Sequence, residues 1–122
     1  MQPIAHITQE IIDLLGLPCQ GNTPIYLGQT NRAHMQSRHP QDYQKYQEYI
    51  GLILTEPEYV GVNPSDQSIE YVRAFQIDAH EYVKVAVRVS LSGRYYARTL
   101  YVLNPNRVHN FIQRGTLKRL TV

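Results

Sequence analysis

Between Tyr82 and Ser90 the chain alternates without interruption: Val83, Val85, Val87 and Val89 take every second position, with Tyr82, Lys84, Ala86, Arg88 and Ser90 between them. Successive side chains on a strand point to opposite faces, so this segment predicts a β-strand with one apolar and one largely cationic face. The valines have to cover a core, which leaves Lys84 and Arg88 together on the opposite side. Residues 69–76 and 94–103 are similarly rich in Val, Tyr, Phe and Leu, which favour pleated surfaces. Leu91-Ser92-Gly93 supplies the flexible glycine of a tight hairpin. The register of the strand that follows stays open. With Ala97 and Leu103 on the core, Tyr96 and Arg98 join the two cations; a slip or bulge substitutes Tyr95, Thr99 and Tyr101. Either way Arg or Tyr lies beside Lys84 and Arg88, and such a face suits phosphate contact and base stacking.

The first half reads in a helical period. Ile4, Ile7, Ile11, Ile12, Leu14 and Leu15 predict a helix over about 4–15, with Thr8 or an earlier residue as its cap and Gly16 and Pro18 as its stop. After the turn Gly21-Asn22-Thr23-Pro24 comes a short apolar strand, residues 25–28. Residues 30–39 make one or two helical turns, and Pro40 breaks them and opens a new helix over 41–55. Along that helix Tyr43, Tyr46, Ile50, Ile53 and Leu54 share one face, so these tyrosines pack. Asn63-Pro64-Ser65-Asp66 is a turn, residues 77–81 a loop, and a last helix runs over about 107–120 with an interruption at Gly115. The expected architecture is α+β, with N-terminal helices packed on a four-stranded antiparallel sheet and a C-terminal helix. The chain of 122 residues suits one domain, its core at about 25–120 and residues 1–20 an N-terminal helical extension.

Charge is unevenly placed. Residues 1–72 hold three basic and eight acidic side chains, whereas residues 73–122 hold nine basic and two acidic ones, and no carboxylate follows Glu81. A chain polarised in this way can present a positive face to a polyanion, hold its own halves together, or attract an acidic protein. Apolar runs such as 50–54 are far short of the ~20 residues that cross a bilayer, and the stretch from Met1 to Leu15 lacks the Lys and Arg of a leader. Cys19 has no partner cysteine for a disulfide or a structural zinc. These features predict a soluble protein of a reducing compartment, with no membrane association.

The chemistry concentrates in Arg32-Ala33-His34-Met35-Gln36-Ser37-Arg38-His39, two histidines and two arginines in eight positions. Imidazoles carry protons near neutral pH, and cleavage of a ribose–phosphate backbone needs one group to take the 2′-hydroxyl proton, another to protonate the departing 5′-oxygen, and cations to stabilise the pentavalent phosphate. His34 and Arg38, four apart, share a helix face, whereas His34 and His39, five apart, do not. The competing reading has His39 capping the helix at Pro40 and His34 packing. Zinc spacing is lacking, with Asp42 the one nearby carboxylate, and no Gly-rich phosphate loop is present, so neither metal nor cofactor is expected. Cys19 in its turn has no local base, and His6, His80 and His109 stand alone.

The string HMQSRHP, a helix ending LTEPEYV and the hairpin EYVKVAVRVSLSGRYYARTLYV together resemble the phage-associated branch of the barnase–EndoU–colicin–RelE nuclease superfamily. The resemblance covers roughly residues 25–120. It implies a metal-independent RNA-cleaving toxin, with helices on a four-stranded antiparallel sheet and an active site of a helix-borne His and polar strand residues. By position, His34 and His39 match the His/Arg cluster, Lys84 or Arg88 the cationic strand, and Arg98-Thr99 with Tyr101 the polar last strand. No Glu occurs on the later strands, so a His–Glu mechanism would lack its carboxylate. The reading is thus a cytoplasmic endoribonuclease, a toxin or phage-borne effector acting where it is made or after delivery into a target cell. His34 or His39 serves as acid or base, Arg88 and Arg98 bind the phosphate, and Thr99 or Tyr101 positions it. Arg32, Arg38, Lys84 and Tyr96 bind the substrate around them. RNA is the expected substrate and an acidic antitoxin or immunity protein the expected partner. Two other readings use the same residues: a non-catalytic nucleic-acid-binding module on the basic sheet face, and a protein-interaction or inhibitor domain using the tyrosines.

Overall fold

The alternating segments become the centre of one mixed sheet. The structure, a computed structural model, describes residues 1–120. Among them seven strands lie in the order β1-β2-β6-β5-β4-β3-β7. They are β1 (Ala5–Ile7), β2 (Thr23–Tyr26), β3 (Tyr59–Val62), β4 (Ile69–Gln76), β5 (His80–Val89), β6 (Tyr95–Leu103) and β7 (Leu117–Arg119). Neighbours are antiparallel except β2, which runs parallel to β6. The helices are α1 (Gln9–Leu15), α2 (Gln29–Arg38), α3 (Pro40–Tyr46), α4 (Ile50–Thr55) and α5 (Pro105–Arg114), with a 3-10 turn at Gln47–Tyr49 between α3 and α4.

The α+β class holds, but the expected four-stranded antiparallel sheet does not. The additional strands β1, β2, β3 and β7 have only three or four residues each. Segments that short show no period of their own, and distant partners define them. The apolar spacing from Ile4 divides at Thr8: Ala5 and Ile7 point inward from β1, and the Thr8 hydroxyl accepts the Ile11 amide at 3.3 Å to start α1. The expected helical extension is therefore a strand and a helix built into the fold, with Ile7, Ile11 and Ile12 in the main core. At the other end α5 stops at Gly115, whose φ of 77° suits glycine, and residues 117–119 pair with β3 rather than continuing the helix. Gly61 on β3 permits that pairing, because a Cβ there would overlap the Thr116 carbonyl oxygen.

The sheet is covered unequally. On one face Val83, Val85 and Val87 meet Ile11, Met35, Tyr46, Ile50 and Ile53 from the N-terminal helices. On the other, α5 covers one end only, where Val72, Leu103, Val108 and Leu117 cluster. Leu103 thus lies on this second face, while Ala97 is in the main core. The rest of this second face stays open, and it carries Lys84 and Arg88.

Candidate functional site

β2 reaches β6 at Tyr95 and Tyr96 only. Beyond them the edge of β6 is free, and helices take the place of a strand: Asp42 at the start of α3 accepts the Val102 amide at 3.0 Å, and α2 packs along the same edge. Met35 of α2 is fully buried in the core. The adjacent His34, about 100° around the helix, is directed to the open face of the sheet. There it lines a cavity of about 510 Å³ with Thr30 and Asn31 of α2, Asn63, Asp66 and Ser68 of the β3–β4 loop, and Glu70, Lys84, Ala86, Arg88, Arg98, Thr99 and Tyr101 of the sheet. The volume falls within the ~300–1,000 Å³ of small-ligand sites.

A β-bulge assembles the β6 wall. Arg88 faces Tyr96 and Val87 faces Ala97, but Ala86 faces Thr99, so Arg98 is the extra residue. Crossing it reverses the alternation. Tyr96 shares the open face with Arg88 on the hairpin side, and Thr99 and Tyr101 share it with Ala86 and Lys84 on the other side. The two registers left open by the sequence are both realised, one on each side of Arg98. The Arg98 Nε is buried and has no hydrogen-bond acceptor among the described residues, and an incoming anion would offer one.

Lys84 and Glu70 form a buried ion pair at 2.7 Å, each less than a tenth exposed. Burial disfavours the ammonium, yet Glu70 and Tyr101 more than compensate and Lys84 stays charged to higher pH than usual. The Lys84 Nζ also lies 4.6 Å from the centre of the Tyr101 ring. Across the floor, the Ser68 amide donates to Asp66 at 2.9 Å. That bond, helped by the charges of Arg88 and Lys84, holds the Asp66 carboxyl below the usual range.

Of the residues expected at a site, His34, Lys84, Arg88, Arg98, Thr99 and Tyr101 converge on this cavity. The others are placed elsewhere. His39 joins α2 to α3 without a side-chain capping bond, and its ring stacks on Tyr101 at 4.8 Å from outside. Arg32 donates to the Tyr43 hydroxyl at 3.4 Å and ties α2 to α3. Arg38 lines a shallow hollow with His39 and Asp42, and Tyr96 lies nearer the hairpin. Glu70 was not expected. It stands on β4, and its outward position against Ala86 becomes visible only once β4 and β5 are in register. Among the described residues no three His, Cys, Asp or Glu side chains converge as a metal site, and no helix is long and apolar enough to cross a membrane.

A family model described as phage-Barnase-EndoU-ColicinE5/D-RelE like nuclease matches residues 2–110. Searches of curated proteins and of solved structures give no match.

Proposed function

The chain belongs to the phage-Barnase-EndoU-ColicinE5/D-RelE like nuclease family, and from that membership we propose that it is an endoribonuclease cutting by transesterification, with His34 and Glu70 as its proton carriers. The observation that carries the proposal is the composition of one cavity: an imidazole on its α2 wall, a carboxylate on its β4 side, and Lys84, Arg88 and Arg98 between. The Glu70 carboxylate takes the proton of the ribose 2′-hydroxyl as that oxygen attacks phosphorus. The bond from phosphorus to the 5′-oxygen breaks, and the His34 imidazolium gives that oxygen its proton. A 2′,3′-cyclic phosphate and a free 5′-hydroxyl result. Arg88 and Arg98 hold the equatorial oxygens, where negative charge accumulates in the pentavalent state. Thr99 and Tyr101 orient the phosphate, and His39 supports Tyr101 from behind. With two proton carriers and three cations around the phosphate, the chemistry requires no metal ion.

Such an enzyme acts in a cytoplasm, as a toxin or phage-borne effector, and an acidic antitoxin or immunity protein that caps Arg88 and Arg98 would silence it. The test is cleavage of end-labelled RNA in EDTA by the wild type beside His34→Ala. The expected result is a ladder with 2′,3′-cyclic ends, reduced about 10²- to 10⁴-fold in the variant at an unchanged melting temperature. Cleavage that persists when the scissile nucleotide is 2′-deoxy would reject the mechanism. Intact RNA with a salt-sensitive gel shift would instead indicate a non-catalytic binding module.

A further inference from the structure

The open face of the sheet does not end at the cavity. Arg88 and Arg98 also line a second, shallower hollow of about 590 Å³ at the β5–β6 hairpin, whose other walls are Tyr96, Leu91 and the paired hydroxyls of Ser90 and Ser92. The two hollows adjoin along Arg88 and Arg98, which line both, and form one trough. Tyr96 lies opposite Arg88 on β6 and is flanked by its partner Tyr26 on β2 at 6.0 Å, the rings tilted by 46°, and Tyr26 is covered in turn by the Arg94 guanidinium at 4.8 Å. Leu91 at the hairpin tip is fully exposed. An aromatic ring braced by its cross-strand neighbour, an apolar tip, two hydroxyls and two cations together match one nucleotide: base on ring, base edge on hydroxyls, phosphate on guanidinium.

Resting on the nuclease reading, we infer that this hollow binds the nucleotide one step beyond the pair joined by the scissile phosphate, and that the substrate is single-stranded there. A ring can stack on Tyr96 only if its base has left its own helix, because a paired base has both faces occupied by its neighbours. The bulge at Arg98 gives the arrangement its logic. By leaving Arg98 out of the ladder it turns the chemical residues Thr99 and Tyr101 to the same face as Tyr96, from which regular pairing throughout β6 would separate them.

Two measurements test this. In the first, kcat/KM is compared for a dinucleotide and for substrates lengthened by two unpaired nucleotides on the 5′ or the 3′ side. Lengthening on one side alone is expected to raise kcat/KM by roughly 5- to 150-fold, the worth of one stacked base. Tyr96→Ala should remove most of that gain through KM, and Tyr96→Phe should keep it. In the second, 2-aminopurine replaces the base on that side in a 2′-deoxy analogue that cannot be cleaved. Its fluorescence should be quenched on binding the wild type and much less on binding Tyr96→Ala. Cleavage of RNA with no one-sided gain, or a gain that survives Tyr96→Ala, overturns the inference and leaves the nuclease reading intact. A preference for the same site inside a duplex also overturns it. If no RNA is cleaved the nuclease reading fails, and quenching that depends on Tyr96 still supports a base site, whereas its absence ends both.

Discussion

Lys84 and Glu70 show how stability and chemistry compete at single residues. Neither charge is solvated, each relies on the other at 2.7 Å, and they occupy the face of the sheet that α5 leaves uncovered. Removing one partner strands the other in a poorly hydrated place, at a cost of about 3–5 kcal/mol, whereas replacing both with apolar groups of similar size is often neutral or stabilising. Glu70→Gln and Lys84→Met should therefore each lower the melting temperature, and Glu70→Leu combined with Lys84→Met should restore much of the loss. Activity should not follow stability if Glu70 is the base proposed for the 2′-hydroxyl proton, because the double variant has lost it. Thermal melts beside initial rates check both statements. A double variant as active as the wild type would remove Glu70 from the mechanism.

Among the elements, α2 and α3 matter most, since they take the place of a strand along β6 and set His34 over the sheet. α3 is fastened at the far end of β5 by Glu81, which accepts from the Lys45 ammonium at 2.7 Å and from the Tyr46 hydroxyl. The Lys45 bond, then the Tyr46 bond, holds the Glu81 carboxyl below the usual range, while burial and Glu81 push the Tyr46 hydroxyl up to about 12. A carboxyl depressed in the fold contributes stability above its unfolded value of about 4.3 and loses it as pH falls through the lower folded value. Glu81→Gln should thus melt a few degrees below the wild type at neutral pH, and the gap should narrow as the pH falls below about 4.3. A constant gap across that range would assign the effect to packing. The same elements mark what the sequence can convey. β4, β5 and β6 were legible because each runs eight to ten residues rich in Val, Tyr, Phe and Leu, with strict alternation in β5, as were the breaks at Pro40 and Gly115, whereas the division of residues 4–15 at Thr8 was not. β3 and β7 were not, since Tyr59–Val62 and Leu117–Arg119 become strands only through one another and β4. Six cavity residues were legible from type and parity. Glu70 was not, because its face depends on a register that no local pattern states.

On the scale of the whole molecule the question is what the polarised charge does. Were the acidic first half held against the basic second half, ion pairs would join them. Among the described residues, only Lys84 of the basic side chains after position 72 lies in one. Within the described residues the remaining arginines and lysines there have no carboxylate partner: Arg73 donates to the Glu56 carbonyl at 2.6 Å, Arg119 to the Tyr59 hydroxyl at 3.2 Å, and Arg94 lies over the Tyr26 ring. Cations without a carboxylate partner keep their field outside the molecule, where it draws in a polyanion and releases the counterions condensed on it. Binding of an uncleavable single strand should therefore weaken steeply with salt, and the slope counts phosphates: each one neutralised contributes about 0.7 to the fall of log K with log salt. With both guanidinium groups on the one scissile phosphate, Arg88→Gln combined with Arg98→Gln should reduce the slope by only about 0.7. A combined loss of about 1.4, with about 0.7 from either variant alone, would mean that each holds a separate phosphate along the trough and would take one of them off the scissile phosphate. Anisotropy titrations of the four proteins at several salt concentrations separate these cases, and a slope unchanged in the double variant would move the nucleic-acid path off this face altogether.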